Sequence, residues 1–198
     1  MDKGLLIFVK NPEKGKVKTR LAATVGDDKA LRIYKELLRH TREVALAVNA
    51  KRYLFYSQQI QINDDWSKTD FEKRLQINGD LGVKMTAAFQ EVLREQSGAI
   101  IIGSDCASLT SELVNEACEA LNSYDFVIGP AMDGGYYLLG MNTFETRLFE
   151  DIEWSTESVC ARTLKRINAL GKQVYILPTL SDIDYEEDWQ KYGWELED

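Results

Sequence analysis

Short apolar runs alternate along this chain with longer segments in which apolar residues recur at helical spacing. The runs predict buried strands over residues 5–9, 53–56, 74–77, 99–103, 125–129, 136–139 and 173–177. Helices are predicted over residues 28–48, from the turn at 79–82 to about 96, over 111–121, from Ser155 or Thr156 to about 170, and over 184–190. Strands that alternate with helices predict an α/β protein with a mostly parallel sheet.

The composition narrows the class of protein. The 198 residues are 44% hydrophobic and contain no linker or repeat, so we expect one domain over 1–198. The net charge of −8 argues against a broad nucleic-acid surface but permits a small phosphorylated ligand. No run approaches 18 apolar residues, and three cysteines without a CxxC pair suit a reducing compartment, so we expect a cytoplasmic protein with no membrane span. The single histidine disfavours histidine-dependent nucleophiles and multi-histidine metal sites.

A basic cluster follows the first predicted strand, in the position where parallel sheets carry their ligands. Residues 10–20 contain five basic side chains and one glutamate, which gives a local charge of +4 in an acidic chain. Pro12 and Gly15 shape the loop, and Thr19 and Arg20 lead into a helix whose amide groups add hydrogen-bond donors. The cluster predicts an anion site, with a solvated basic loop as the alternative. It is not a Walker A loop, because its glycine and serine/threonine spacing differs.

Two further clusters place an aspartate directly after a strand. Asp80 lies between two glycines at a strand-to-helix turn, and Lys84 follows one turn into the helix, within reach of a phosphate. A plain turn with a surface lysine explains the same residues. Asp105 follows the most apolar strand, where a divalent cation bridging diphosphate oxygens needs a carboxylate. A turn or helix-capping aspartate is the structural alternative there.

The last two clusters combine aspartates with glycines or with each other. The adjacent Gly134 and Gly135 let the backbone approach a ligand, and Asp133 suits hydrogen bonds from sugar hydroxyls. A hairpin turn accounts for these residues equally well. Asp182 and Asp184 alternate along an extended segment, so one of them is placed to face a metal, and Asp184 also suits a helix cap.

In this order along one chain, the clusters resemble the nucleotide-diphospho-sugar transferase superfamily, which has the glycosyltransferase A fold. More narrowly, the chain resembles a bacterial family of glycosyltransferases, some of whose members are named as arsenosugar-biosynthesis or radical-SAM-associated transferases. The resemblance spans nearly the whole chain and is most specific in the Lys-Thr-Arg-Leu segment at 18–21 and the Asp-Gly-Gly-Tyr segment at 133–136. It implies a three-layer α/β/α sandwich around a mostly parallel central sheet.

The resemblance also implies roles for individual residues. Asp105 and Asp184 would bind Mg²⁺ or Mn²⁺, and Asp105, Lys18, Arg20 and Asp133 would be the catalytic group. Lys18 and Arg20 would lie nearest the diphosphate, and Asp133 near the reacting sugar. The residues implied in nucleotide and phosphate binding are Lys10, Lys14, Gly15, Lys18, Thr19, Arg20, Asp80 and Lys84. Those implied in the donor-sugar or acceptor pocket are Asp133, Gly134, Gly135 and Trp154.

The function that the resemblance implies is a metal-dependent glycosyltransferase with a nucleotide-diphosphate-sugar donor and a small-molecule acceptor. One alternative is a nucleotidylyltransferase, which joins a nucleoside triphosphate to a phosphorylated small molecule and releases pyrophosphate. A second alternative is a non-catalytic nucleotide-binding domain. Three departures bear on geometry and substrate preference: Lys84 stands where arginine is usual, Ala107 where proline is usual, and Tyr185-Glu186 where threonine-proline is usual.

Overall fold

A single seven-stranded sheet forms the centre of the protein in the computed structural model, which describes residues 3–196. The strands are β1 (Lys3–Val9), β2 (Lys51–Tyr56), β3 (Glu72–Leu75), β4 (Gly98–Ile102), β5 (Phe126–Pro130), β6 (Tyr136–Met141) and β7 (Val174–Ile176). Their order is β3-β2-β1-β4-β6-β5-β7. Among these seven strands, β6 alone runs antiparallel to its neighbours, so the mostly parallel sheet predicted from the sequence is confirmed.

Helices cover both faces of the sheet. They are α1 (Thr19–Val25), α2 (Asp27–Ala47), α3 (Leu81–Val92), α4 (Ser111–Ala120), α5 (Val159–Ala169) and α6 (Glu186–Tyr192), with a 3₁₀ turn at Thr146–Leu148. Alternate side chains of each strand face opposite layers. On β1, Leu5 and Ile7 pack with α2 and α4, whereas Leu6 packs with α3 and α5. The α/β/α sandwich implied by the resemblance is therefore present.

A third apolar cluster joins the end of the chain to its beginning. Leu21 of α1 and Ile33 of α2 pack with Ile183 and with Trp189 of α6. This cluster holds the segment before α6 against the loop after β1. It thereby places residues from opposite ends of the sequence at the same edge of the sheet.

The structure differs from the sequence predictions mainly at helix starts. Helix α5 begins at Val159 rather than at Ser155 or Thr156, because Ser155 has a positive φ of 64° and the Thr156 hydroxyl bonds back to the Glu153 carbonyl. Helix α4 begins at residue 111 as predicted, and Thr110 caps it by accepting a hydrogen bond from the Leu113 amide. These caps depend on local backbone angles that apolar spacing does not report.

One strand and the last helix are also shifted. Strand β3 ends at residue 75, two residues before the predicted end, because its pairing with β2 extends only over 53–56. Helix α6 runs over 186–192, so Asp184 precedes it and does not cap it. No helix among residues 3–196 has the length and apolar character needed to span a bilayer.

Candidate active site

A cleft of about 590 Å³ opens at the carboxyl ends of β1 and β4. Its walls are the loop after β1, the loop after β4, the β5–β6 turn, the start of α3, and the segments that precede α5 and α6. This is the edge of the sheet at which parallel α/β proteins bind ligands. The cleft contains both the basic cluster and the aspartates that the sequence analysis singled out.

Lys18 connects three walls of the cleft. Its Nζ lies 2.6 Å from Asp105 Oδ1 and 3.9 Å from Asp184 Oδ1, and it donates a hydrogen bond of 2.7 Å to the Ile183 carbonyl. The side chain is only 5% exposed. Lys18 also has left-handed backbone angles, φ 48° and ψ 43°, directly before α1. Such angles cost a non-glycine residue about 1–3 kcal/mol and are often found at functional sites.

The segment before α6 is held in place through its backbone. The Ile183 amide donates to the Asp105 carbonyl at 2.8 Å, and Asp188 accepts from the amides of Asp184 and Tyr185 at 3.0 and 2.8 Å. The Asp184 carboxylate is therefore fixed beside the loop after β4. Arg20 Nη1 reaches its second oxygen, Oδ2, at 3.0 Å.

Asp182 is a further carboxylate of this cleft. Burial raises its pKa to about 7, and the nearby charges of Asp105 and Asp133 add to this shift while Lys18 opposes it. Four aspartates thus line the cleft, with the cationic side chains of Lys18 and Arg20 among them. The raised pKa favours the protonated form of Asp182 more than for an ordinary aspartate.

Buried polar side chains fix the basic loop where it leaves the sheet. The Tyr34 hydroxyl accepts from the Lys10 amide at 2.8 Å, donates to the Lys10 carbonyl at 3.0 Å and lies 3.3 Å from Ser104 Oγ. Burial and the charge of Asp105 raise the pKa of Tyr34, which keeps the hydroxyl neutral. Asn11 Nδ2 donates to the Gln59 carbonyl at 2.8 Å, which ties the same loop to the segment after β2.

The β5–β6 turn forms another wall of the cleft. Asp133 Oδ1 accepts a hydrogen bond of 2.9 Å from the Gly135 amide, and Gly134 has a φ of 87°. The Gly134 carbonyl accepts from the Cys160 amide at 2.9 Å, and the Gly134 Cα lies against the Glu157 backbone. The hairpin turn weighed in the sequence analysis is thus present, and it packs onto the segment leading into α5.

Trp154 forms an aromatic wall of the cleft. Its indole lies over Gly82, where any Cβ would come within 2.5–2.7 Å of the ring. Phe149 stacks on the indole with ring centroids 6.4 Å apart, and Phe144 stacks on Phe149 at 6.0 Å. These stacked rings back the Trp154 indole where it lines the cleft.

The cleft includes most of the residues that the sequence analysis assigned to it. Those lining it are Lys10, Lys18, Thr19, Arg20, Lys84, Asp105, Asp133, Gly135, Trp154 and Asp184. Their common location at one edge of the sheet follows from the order of strands β1 and β4 and from the packing of α6.

Four predicted residues do not line the cleft of the described structure. Lys14 pairs with Asp28 of α2 at 2.7 Å, which turns its ammonium away, and Gly15 shapes the adjoining turn with a φ of 74°. Asp80 caps α3 by accepting from the Val83 amide at 2.9 Å. The backbone of Gly134 faces the segment before α5, as described above. The structure shows these local contacts, and the binding roles of the four residues stay predictions.

Sequence reasoning missed several groups that line the cleft. Lys16 lines it where Lys14 was expected, and Tyr34, Gln76 and Ser104 also contribute to its walls. Ser104 carried a usable signal, because it lies between the most apolar strand and Asp105. Tyr34 lies inside a helical repeat, where an aromatic residue is indistinguishable from a core residue.

The carboxylates do not form a complete metal site by themselves. Within residues 3–196, no three histidine, cysteine, aspartate or glutamate side chains come close enough together to hold a metal ion. Cys106 also lies in the wall, but burial and the charge of Asp182 raise the pKa of its thiol to about 12. The thiol therefore remains protonated and is a poor nucleophile at neutral pH.

The family of this chain follows from comparison with known proteins. Residues 39–156, more than half of the chain, match the family described as "Uncharacterized protein conserved in bacteria (DUF2064)". The chain belongs to this family. A search of curated proteins gave no match to this member of DUF2064.

Solved structures relate this DUF2064 protein to a class of transferases. A protein from Desulfovibrio desulfuricans G20, provisionally named a nucleotide-diphospho-sugar transferase, is 32% identical over 93% of this chain and 84% of its own, with a TM-score of 0.86. The chain is accordingly a member of the nucleotide-diphospho-sugar transferase superfamily, as its sequence motifs predicted. Membership of this superfamily makes it a nucleotide-related transferase.

Two more distant structures share the fold. CMP:2-keto-3-deoxy-manno-octonic acid synthetase, solved with CTP, is 9% identical over 96% of both chains, with a TM-score of 0.61. Rv0371c of Mycobacterium tuberculosis H37Rv, solved with manganese, is 13% identical over 97% of both chains, with a TM-score of 0.58. At these identities the likeness concerns the fold alone.

Proposed function

We propose that this protein is a metal-dependent glycosyltransferase that uses a nucleotide-diphosphate-sugar donor. The observation that carries the proposal is the convergence of Lys18, Arg20, Asp105 and Asp184 within ion-pair distance at the carboxyl edge of the sheet. The relative from Desulfovibrio desulfuricans G20 supports a sugar nucleotide as the donor class. The aromatic wall at Trp154 offers an apolar surface for the sugar or the acceptor.

The reaction transfers the sugar from the nucleoside diphosphate to a nucleophilic group of the acceptor. The bond between the anomeric carbon and the diphosphate oxygen breaks, and the bonding electrons leave with the nucleoside diphosphate. The acceptor group forms the new bond to the anomeric carbon and releases its proton to solvent. Lys18 and Arg20 stabilise the negative charge that develops on this leaving group. Asp133, fixed by its bond to the Gly135 amide, lines the same cleft as these cations and orients sugar hydroxyls.

Asp105 and Asp184 are the residues that would hold Mg²⁺ or Mn²⁺. Both turn an oxygen toward one point, the position of Lys18 Nζ, and carboxylate oxygens are the ligands that these hard cations prefer. Two carboxylates leave coordination positions for water and diphosphate oxygens. When bound, the cation supplies positive charge that offsets the charge of the diphosphate.

Nucleotidyl transfer is the second candidate, and the number of cations in the cleft fits it equally well. Five cationic side chains line the cleft, namely Lys10, Lys16, Lys18, Arg20 and Lys84. This number suits the charge of a triphosphate as well as that of a diphosphate. Pyrophosphate would then be the leaving group, and a phosphorylated small molecule the acceptor.

A ligand panel with product analysis tests the proposal. Nucleoside triphosphates, nucleoside diphosphates and sugar nucleotides are each added with and without Mn²⁺, and thermal unfolding is recorded for the wild type and for Asp105→Asn. A ligand at 100 times its Kd adds about 2.7 kcal/mol, which raises the Tm of a domain of this size by roughly 5–10 °C. We expect a Mn²⁺-dependent shift with a sugar nucleotide that is lost in Asp105→Asn.

The exposed Asp65→Asn is the matched control, because it makes the same change of charge outside the cleft. A shift with triphosphates only, with pyrophosphate as the product, would establish nucleotidyl transfer instead. Binding of a nucleotide without turnover would identify a non-catalytic nucleotide-binding domain. Undiminished activity in Asp105→Asn would remove that carboxylate from the mechanism.

A further inference from the structure

We propose that the Lys18 ammonium occupies the cation position between Asp105 and Asp184 until metal and nucleotide enter together, and that Lys18 then moves to the diphosphate. This inference rests on the proposed function, because it concerns the metal of the same site. It assigns Lys18 two alternative partners. It also makes the affinity for the metal depend on where this side chain lies.

The first support is the position of the ammonium. Lys18 Nζ lies 2.6 Å from Asp105 Oδ1 and faces the equivalent oxygen of Asp184 at 3.9 Å. A divalent cation bound at about 2.0–2.6 Å from both oxygens would compete with the ammonium for the space beside Asp105 Oδ1. Ammonium and metal cannot occupy it together, so binding of one excludes the other.

The second support is that Arg20 does not compete for this position. Arg20 Nη1 contacts Asp184 through Oδ2, the oxygen on the other side of the carboxylate, and its side chain is 61% exposed. Arg20 can therefore remain in place while a cation binds Oδ1. Lys18, which is 5% exposed, is the cation that has to leave.

The third support is the way in which Lys18 is held. Its left-handed backbone angles are maintained while the ammonium bonds to Asp105 and to the Ile183 carbonyl. A conformation of this kind persists only where its surroundings determine it. A metal that binds the Asp105 carboxylate removes one of these restraints, because the ammonium loses its ion-pair partner. The ammonium is then free to bind a phosphate.

The consequence is a coupling between metal and nucleotide. Metal alone has to displace the buried Lys18 ammonium from the partly exposed Asp105 carboxylate, so it binds weakly. With a diphosphate present the displaced ammonium finds a new anionic partner, so each ligand strengthens the binding of the other by the same factor. Removing the ammonium without a nucleotide therefore strengthens the binding of metal alone.

The test measures Mn²⁺ binding to the nucleotide-free protein by the electron paramagnetic resonance signal of free Mn²⁺. The variants are Lys18→Met and Lys18→Gln, which remove the charge, and Lys18→Arg, which keeps it. Lys29→Met, on the exposed surface of α2, makes the same change of net charge away from the cleft. Far-UV circular dichroism and thermal unfolding establish that each variant is folded.

We expect Lys18→Met and Lys18→Gln to bind Mn²⁺ about tenfold more tightly than the wild type, a factor within the range of allosteric couplings. Lys18→Arg keeps the competing charge, and Lys29→Met leaves the cleft unchanged. The Mn²⁺ affinity of both variants should therefore stay within about twofold of the wild type. Equal or weaker Mn²⁺ binding by both uncharged variants would overturn the proposal, as would the absence of any binding at millimolar Mn²⁺.

The same samples separate this inference from the proposed function. If no nucleotide shifts the thermal unfolding of the wild type, the proposed function fails while the metal comparison among the Lys18 variants still stands. If a sugar nucleotide binds but the uncharged variants gain no Mn²⁺ affinity, only the displacement of Lys18 is refuted. A tight Mn²⁺ complex of the nucleotide-free wild type would also refute it, because the ammonium would then present no obstacle.

Discussion

Replacing Gly134 with alanine tests how the β5–β6 turn is held against the segment that leads into α5. Gly134 has a φ of 87°, and a Cβ built there would lie no more than 2.5 Å from the carbonyl oxygen, the Cα and the carbonyl carbon of Glu157. These are backbone atoms, which cannot rotate away as a side chain can. The turn and the segment would have to separate, and the hydrogen bond from the Cys160 amide to the Gly134 carbonyl would lengthen.

The magnitude follows from two contributions. The left-handed conformation costs an alanine about 1–2 kcal/mol relative to glycine. Forcing the backbones apart adds about 1–3 kcal/mol, the usual cost of overpacking. The sum is about 2–5 kcal/mol, a large part of the roughly 5–15 kcal/mol of a typical domain.

Gly171→Ala isolates the first contribution. Gly171 also has a positive φ, 65°, but its Cβ would meet no heavy atom within 4 Å. Urea and thermal unfolding should place Gly134→Ala about 1–3 kcal/mol below Gly171→Ala, a difference in Tm of about 2–12 °C for a domain of this size. Equal losses in the two variants would refute the close approach of the turn to Glu157.

Two further predictions concern ion pairs outside the cleft. The side chains of Asp64 and Lys73 are 13% and 5% exposed and form an ion pair of 2.5 Å, so Asp64→Ala leaves a buried ammonium and should lower the free energy of unfolding in urea by about 3 kcal/mol. The control Asp65→Ala removes a 91% exposed carboxylate 3.7 Å from Arg42 and should lower it by less than about 1 kcal/mol. Equal losses in the two variants would contradict the argument from burial. Hydrogen bonds from Arg74, Lys51 and Tyr53 lower the pKa of Glu95 to about 2, below the ordinary 4.5. The ionised Glu95 therefore contributes fully to stability above pH 4.5, and this contribution is lost as the pH falls toward 2. In Glu95→Gln, the free energy of unfolding should fall less steeply over this pH interval than in the wild type. The same slope in both proteins would show that these hydrogen bonds do not stabilise the protein in solution.

The fold could be predicted from the sequence because burial imposes a local pattern. Strand β1 is covered on both faces and forms a continuous apolar run at 5–9, whereas α2 presents Ile33, Tyr34 and Leu37 on one side, so strand and helix could be distinguished. The positions at which helices begin were predicted less accurately. The cap of α5 depends on the positive φ of Ser155, and an isolated backbone angle leaves no repeated pattern in the sequence.

The candidate site could be predicted in part, because strands that alternate with helices run parallel. Residues in the loops after β1 and β4, such as Lys18 and Asp105, lie at the carboxyl edge of the sheet once these strands are parallel. Lys14 and Asp80 carry the same kinds of side chain, but Asp28 and the α3 amides bind them instead. Charge and position in a motif do not distinguish the two outcomes.

By itself, the sequence determined the class of fold, the basic loop after the first strand and the carboxylates that follow the strands. Only the tertiary structure decided which of these groups meet. Lys18 and Ile183 are 165 residues apart in the chain, yet the Lys18 Nζ lies 2.7 Å from the Ile183 carbonyl oxygen. The apolar packing of α1, α2 and α6 brings them together, and the same packing inserts the Lys18 ammonium between Asp105 and Asp184. The physical reason is that apolar periodicity acts over a few residues, whereas an ion pair depends on where distant elements are packed.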